Sequence, residues 1–222
     1  MIYAPFTLLL LFLLLLLLGV FILLVEMRVL TYAYRKIGVR PRYAFTVMLL
    51  SLLGSHVNIP IYSIPTGRVL RPHVLSMFGR TYVIPESTEQ GMTIVALNVG
   101  GALIPILVSI YLLARTRLYW RMLIGVAIVA VVVHSLARIV PGVGIVVPML
   151  APPLVAAGVG LLLAFRAAPP VAYVSGSMGT LIGADLLNLS KIADLGAPIV
   201  SIGGAGTFDG VFLTGIIAGL IA

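Results

Sequence analysis

MIYAPFTLLLLFLLLLLLGVFILLV, residues 1–25, contains no charged side chain and almost nothing polar. About 20 such residues in a helix cover the roughly 30 Å of hydrocarbon in a bilayer. A secretory signal would need a basic start, an apolar core of roughly 7–15 residues and a small-x-small cleavage site. This stretch has none of them, so it reads as a retained first span over about 2–25.

The rest of the chain repeats that chemistry. Hydrophobic residues make up 61% of the 222 positions and charged residues only 9%, with a mean hydropathy of +1.22. A soluble domain carries about 25% charged residues, so this chain lacks the polar surface to coat a globule in water. The expected fold is all-α: a single polytopic transmembrane bundle over 1–222, with spans at about 2–25, 43–64, 92–114, 122–140, 145–165, 171–195 and 198–221.

The formal charge of +8 does not point to nucleic acid. Its basic residues form short clusters between apolar runs instead of a stripe interleaved with aromatics. Arg28, Arg35, Lys36, Arg40 and Arg42 follow span 1, Arg115, Arg117 and Arg121 follow span 3, and Arg166 follows span 5. All three positions fall on one side. The positive-inside rule makes that side cytoplasmic, with the N-terminus outside and the C-terminus inside a cell membrane. The longest polar stretch, between spans 2 and 3, includes HVLSMFGRTYVIP (residues 73–85), with β-forming residues on either side of Gly79. It is expected to be a short surface hairpin.

Cysteine is absent, which excludes disulfides, thiolate zinc sites and a cysteine nucleophile. No His-Glu-x-x-His motif is present, and Ser177 fails the Gly-x-Ser-x-Gly pattern. No metal and no cofactor are expected. The acids are more informative. All three aspartates, Asp185, Asp194 and Asp209, fall in the last two predicted spans. Asp194 lies beside Lys191 near a helix end, whereas Asp185 and Asp209 lie deep in apolar sequence. An ionised carboxylate there costs about 2.5–3.5 kcal/mol even on lenient insertion scales, so such acids are functional candidates.

Gly196 and Pro198 mark a helix end and a helix start. With the turn centred on Ala197, the two aspartates are equidistant from it, each about 18 Å away at 1.5 Å per residue. Antiparallel packing would place both carboxyl groups at one depth. Gly176, Gly179 and Gly183, then Gly203, Gly204, Gly206 and Gly210, form small-xxx-small patterns that permit close helix approach. On an ideal helix Asp185 points away from the first glycine stripe. Either those glycines pack on another helix, or the backbone there departs from ideal. Two carboxyl groups a few ångströms apart share a proton and can activate water against a peptide carbonyl. The substrate would be a membrane-spanning peptide, unwound and received by strand addition at the hairpin of residues 73–85.

The stretches GSHVNIP (54–60), NVGGALIP (98–105), GTLIGADLLN (179–188) and GGAGTFDGVFLTG (203–215) resemble the motifs of a polytopic membrane-protein family of archaea and bacteria, classed as a domain of unknown function. The last two predicted spans are also similar to intramembrane aspartyl proteases of the presenilin and signal-peptide-peptidase type. Those proteins carry one aspartate on each of two consecutive helices, the second in a Gly-x-Gly-Asp motif. Here Gly204-Ala205-Gly206 precedes Asp209 with Thr207 and Phe208 between. That resemblance implies an Asp185/Asp209 dyad hydrolysing peptide bonds.

The competing expectation is a proton- or cation-coupled transporter. Its pathway would use His56, Asn58, Asn98, His134, Arg138 and Asn188 with the same acids, and helices broken at Pro60, Pro105 and Pro148. Seven spans do not divide into two equal halves, so a homo-oligomer would have to supply the symmetry. A third expectation is a membrane assembly subunit without chemistry.

Overall fold

The computed structural model describes residues 4–65, 73–77, 80–84, 92–140, 144–195, 197–204 and 210–222. Helix α1 (Ala4–Lys36) is built from the leucine run and continues through the first basic residues, so Arg28, Arg35 and Lys36 are helical. Leucine and arginine are both good helix formers, and the chain turns only at Gly38, where φ is 106°. Helix α2 (Pro41–Gly54) follows. Strand β1 (Asn58–Pro65) comes next, then the hairpin β2 (His73–Met77) and β3 (Arg80–Ile84), then β4 (Met92–Asn98). A π-helical turn (Val99–Leu103) leads into α3 (Ile104–Thr116), and α4 is Tyr119–Leu136. A small hairpin, β5 (Arg138–Val140) with β6 (Gly144–Val146), precedes α5 (Ala151–Ala164) and α6 (Ala168–Thr180). A second π-helical turn (Leu181–Asp185) runs into 3₁₀ helix (Leu186–Leu195). The chain ends with β7 (Ile199–Ile202) and α7 (Gly210–Ile221).

The protein is therefore mostly helical, with strands in addition, and not all-α. Among the described residues four helical stretches are long and apolar enough to cross a membrane: Leu8–Lys36, Val99–Thr116, Tyr119–Leu136 and Ala151–Lys191. These fit a membrane protein, but they are four and not the seven expected. Apolar periods did not separate helix from strand: the expected second, third, fourth, fifth and seventh spans each contain a strand at one end. β-branched runs such as residues 199–202 satisfy a hydropathy window as well as a helix does. The surface hairpin is found, with His73 opposite Ile84 and Met77 opposite Arg80.

The 41-residue stretch Ala151–Lys191 is not one rod. Ala164 (φ −151°) and Ala167 (φ −133°) leave the helical region. A Cβ on Gly160 would meet Ala172, and one on Gly176 would meet Ala156. Such paired contacts mean that α5 and α6 lie antiparallel. Pro105, expected to break a helix, instead stands in the first turn of α3, and Pro41, Pro152 and Pro169 occupy first-turn positions of α2, α5 and α6, where proline's missing N–H costs nothing.

Helix α6 is the centre, buried along nearly its whole length. The main core joins Tyr173 and Val174 of α6 to Leu30, Tyr34 and Ile37 at the end of α1, Met48 of α2, Leu112 of α3 and Ile216 of α7. Residues 8–25 of α1 are exposed throughout. The largest sheet has the order β1-β4-β7, with β1 antiparallel and β7 parallel to β4.

Candidate functional site

The four stretches quoted above are far apart in sequence but meet at one junction, where helices give way to the three-stranded sheet. At the end of α2, a Cβ on Gly54 would lie 3.1 Å from the backbone nitrogen of Gly100. Asn98, the last residue of β4, is fully buried. Its Nδ2 donates to the Ser55 carbonyl at 2.7 Å and to Asn58 Oδ1 at 3.0 Å. Its Oδ1 accepts from the Gly101 amide at 2.7 Å, which caps the π-helical turn. Asn58 Oδ1 also accepts from Ser201 Oγ of β7 at 2.8 Å. One amide side chain thus ties α2, α3 and, through Asn58, the edge strand.

Strand β7 ends in a turn at Gly203, whose φ of 85° suits glycine. A Cβ on Gly101 would sit 1.8 Å from the Gly203 carbonyl oxygen. The turn therefore docks backbone to backbone on the start of α3. From this position the Gly203 amide donates to Asp185 Oδ2 at 2.7 Å.

Asp185 owes its place to the second π-helical turn. A π turn shifts the helical bonding pattern and frees carbonyls. Here Asn188 Nδ2 takes up those of Gly183 at 3.2 Å and Ala184 at 2.9 Å. His134 Nδ1 of α4 lies 3.3 Å from the Gly183 oxygen and 3.3 Å from Asn188 Nδ2. The glycine stripe of α6 packs elsewhere: Gly179 against Val129 and Gly183 against the Ala130 backbone of α4, with Gly176 against Ala156 of α5 and Thr214 of α7. Both alternatives left open by the sequence hold together. The glycines face other helices, and the backbone departs from ideal α-helix at Asp185.

Asp185 is half-buried and lines a cavity of about 360 Å³. Thr180, Ser201, Gly204, Gly210 and Thr214 share its wall, and β6 with Val147 and Pro148 closes the other side. Thr180 Oγ1 is itself buried and has no hydrogen-bond partner among the described residues. Asp209 and Gly206 lie outside the described residues, but Gly204 and Gly210 bracket that segment and both line the cavity.

The expected span 198–221 is not one helix, since β7 occupies its first part. Asp185 accordingly sits at a helix–sheet junction and not midway along an antiparallel helix pair. Asn188 lies directly behind it, and Asn58 and Asn98 form the adjoining node. His56 is exposed at the end of α2, with Nδ1 3.2 Å from the Leu52 carbonyl oxygen, and does not line the cavity. Thr180, Ser201, Thr214 and the Gly203 amide were missed from sequence. Hydroxyls in apolar runs and a backbone N–H carry no signal until the fold gathers them. Among the described residues no three His, Asp or Glu side chains gather as a metal site.

No curated protein and no solved structure matches this chain. All four junction stretches fall within residues 52–221, the region matched by one family, and on that match the chain belongs to the family described as "Protein of unknown function (DUF1614)".

Proposed function

We propose that this is an intramembrane aspartyl protease-like protein, in which Asp185 and Asp209 hydrolyse a peptide bond of a membrane-embedded substrate. The observation that carries the reading is the cavity. Asp185 is on its wall, Gly210, directly bonded to Asp209, is on the same wall, and β7 runs along it as an edge strand. An edge strand has unpaired N–H and C=O groups that accept an extended peptide. One carboxylate takes a proton from water while the other, protonated, gives its proton to the peptide carbonyl oxygen. The water oxygen bonds to carbon, the C–N bond breaks, and the amine leaves with a proton.

A second reading, a proton- or cation-coupled transporter, is favoured by one feature: α3 and α7 both begin beside this polar junction, as discontinuous helices do at carrier sites. The two readings separate in one preparation. The full chain is reconstituted in lipid with a reporter membrane peptide, alongside Asp185→Ala and Asp209→Ala. Cleavage by the wild type and its loss by at least about 10³-fold in both variants is expected for groups acting as a unit. Proton- or sodium-dependent uptake into liposomes without any cleavage would replace the protease by the carrier. Neither activity would leave an assembly subunit.

In this reading the chain passes the bilayer seven times, with some passes part strand, and the basic end faces the cytoplasm. Lys36 Nζ donates to the Leu220 carbonyl at 2.7 Å, which supports a C-terminus on the same side as the first basic cluster.

A further inference from the structure

The basic end of the bundle contains cations of two kinds. Some have work within the fold: Lys36 holds the Leu220 carbonyl, Arg115 donates to the Gly38 carbonyl and to Tyr111 Oη, and Arg42 stacks 4.6 Å from the Tyr43 ring centre. Arg28 and Arg35 are different. Both are exposed, and neither side chain has a hydrogen bond or ion pair among the described residues.

These two arginines line a groove of about 450 Å³ between α1 and α2, together with Leu24, Met27, Thr31 and Phe45. Positions 24, 27, 28, 31 and 35 recur at the three- and four-residue spacing of a single helix face. Along that face the chemistry is graded: apolar at Leu24 and Met27, then cationic from Arg28 to Arg35. Among the described residues the nearest acid in sequence, Glu26, is two positions from Arg28 and so about 200° around the helix, on the far side. Below Leu24 the helix continues as the exposed apolar surface of residues 8–25.

We infer that this groove is a binding site for an anionic phospholipid. Its phosphate is held by the Arg28 and Arg35 guanidinium groups, and its acyl chains run along residues 8–25. Guanidinium forks match phosphate oxygens in geometry and charge, and arginine stems lie along apolar surface while their heads stay at the interface. A soluble phosphate would use only the upper half of the groove. The continuity of the cationic face with an unpartnered apolar helix is what selects a lipid. The groove precedes the family match at residues 52–221 and does not depend on the chemistry at Asp185.

The test is native mass spectrometry of the full chain in mild detergent, titrated with phosphatidylglycerol, with phosphatidylcholine and with inorganic phosphate. An Arg28→Gln/Arg35→Gln variant is compared with Arg117→Gln/Arg121→Gln, which removes equal charge from the same end. Phosphatidylglycerol is expected to bind the wild type in preference to phosphatidylcholine. Loss of one guanidinium–phosphate contact weakens binding about tenfold, so the first variant should lose the most tightly held lipid while the second keeps it. Equal losses in both variants would reduce the effect to unspecific surface charge and overturn the site. So would equal binding of phosphatidylcholine, or displacement of the lipid by inorganic phosphate at comparable concentration. The substituted side chains are exposed, and matched helical circular dichroism of the two variants confirms that folding is not what differs.

Discussion

Gly101 is the residue on which the site most directly rests. Its α-carbon faces the Gly203 carbonyl so closely that a methyl group would lie 1.8 Å from the oxygen, and the obstacle is backbone, which cannot rotate away. Gly101→Ala should therefore cost about 2–3 kcal/mol by overpacking, and it should displace the Gly203 amide from Asp185. Gly158 of α5 offers the opposite case, with nothing within 4 Å of an added Cβ. Gly158→Ala should leave the protein equally stable or stabilise it by up to about 1 kcal/mol through helix propensity. Thermal unfolding of both variants in the same detergent checks the pair. Equal midpoints would mean that the β7 turn does not dock on α3 as described.

At the scale of elements, the π-helical turn Leu181–Asp185 is the device that aims the aspartate. It exists because Asn188, only 3% exposed, satisfies two of the carbonyls that the turn releases. Asn188→Leu keeps a similar volume but removes the donor to the Ala184 carbonyl, and loss of a hydrogen bond at a buried carbonyl costs about 1–3 kcal/mol. The expected outcome is faster hydrogen exchange confined to residues 181–188, together with loss of any Asp185-dependent activity, while α4 and α5 stay protected. Exchange that rises uniformly along the chain would instead make Asn188 a general packing residue. The α5–α6 hairpin belongs to this scale too. Hydropathy merges its two legs, and only the non-helical angles at Ala164 and Ala167 and the antiparallel glycine contacts separate them.

For the whole molecule, the prediction concerns which end faces which side of the membrane. The chain has no cysteine, so single introduced cysteines report cleanly. Arg117→Cys and Arg166→Cys, at the basic end, should react with an impermeant reagent from the cytoplasmic side only. Val57→Cys, exposed at the sheet end, should react only from the other side. Labelling of all three from one side would refute the seven-pass reading and leave the four membrane-length helices to be threaded differently. The same two-ended arrangement separates the molecule's candidate activities: the lipid groove at the basic end, the Asp185 cavity beside the sheet.

The sequence determined the solvent of this protein, because 9% charged residues cannot cover a water-soluble globule whatever the fold. It also determined the basic end, the 73–84 hairpin and the candidacy of Asp185, since each rests on local composition or local alternation. It did not determine which apolar runs are helix and which are strand. An apolar run such as residues 199–202 reads alike in either state until a partner strand takes its amides, and that partner, β4, is about a hundred residues away. Nor could it bring Ser201 and the Gly203 amide to the acid, or Asn98 to the junction beside it. The contacts that do so are non-local hydrogen bonds and glycine–glycine approaches, which depend on backbone path and not on residue type. The tertiary structure alone turned four separated glycine-rich stretches into one junction with a cavity beside it.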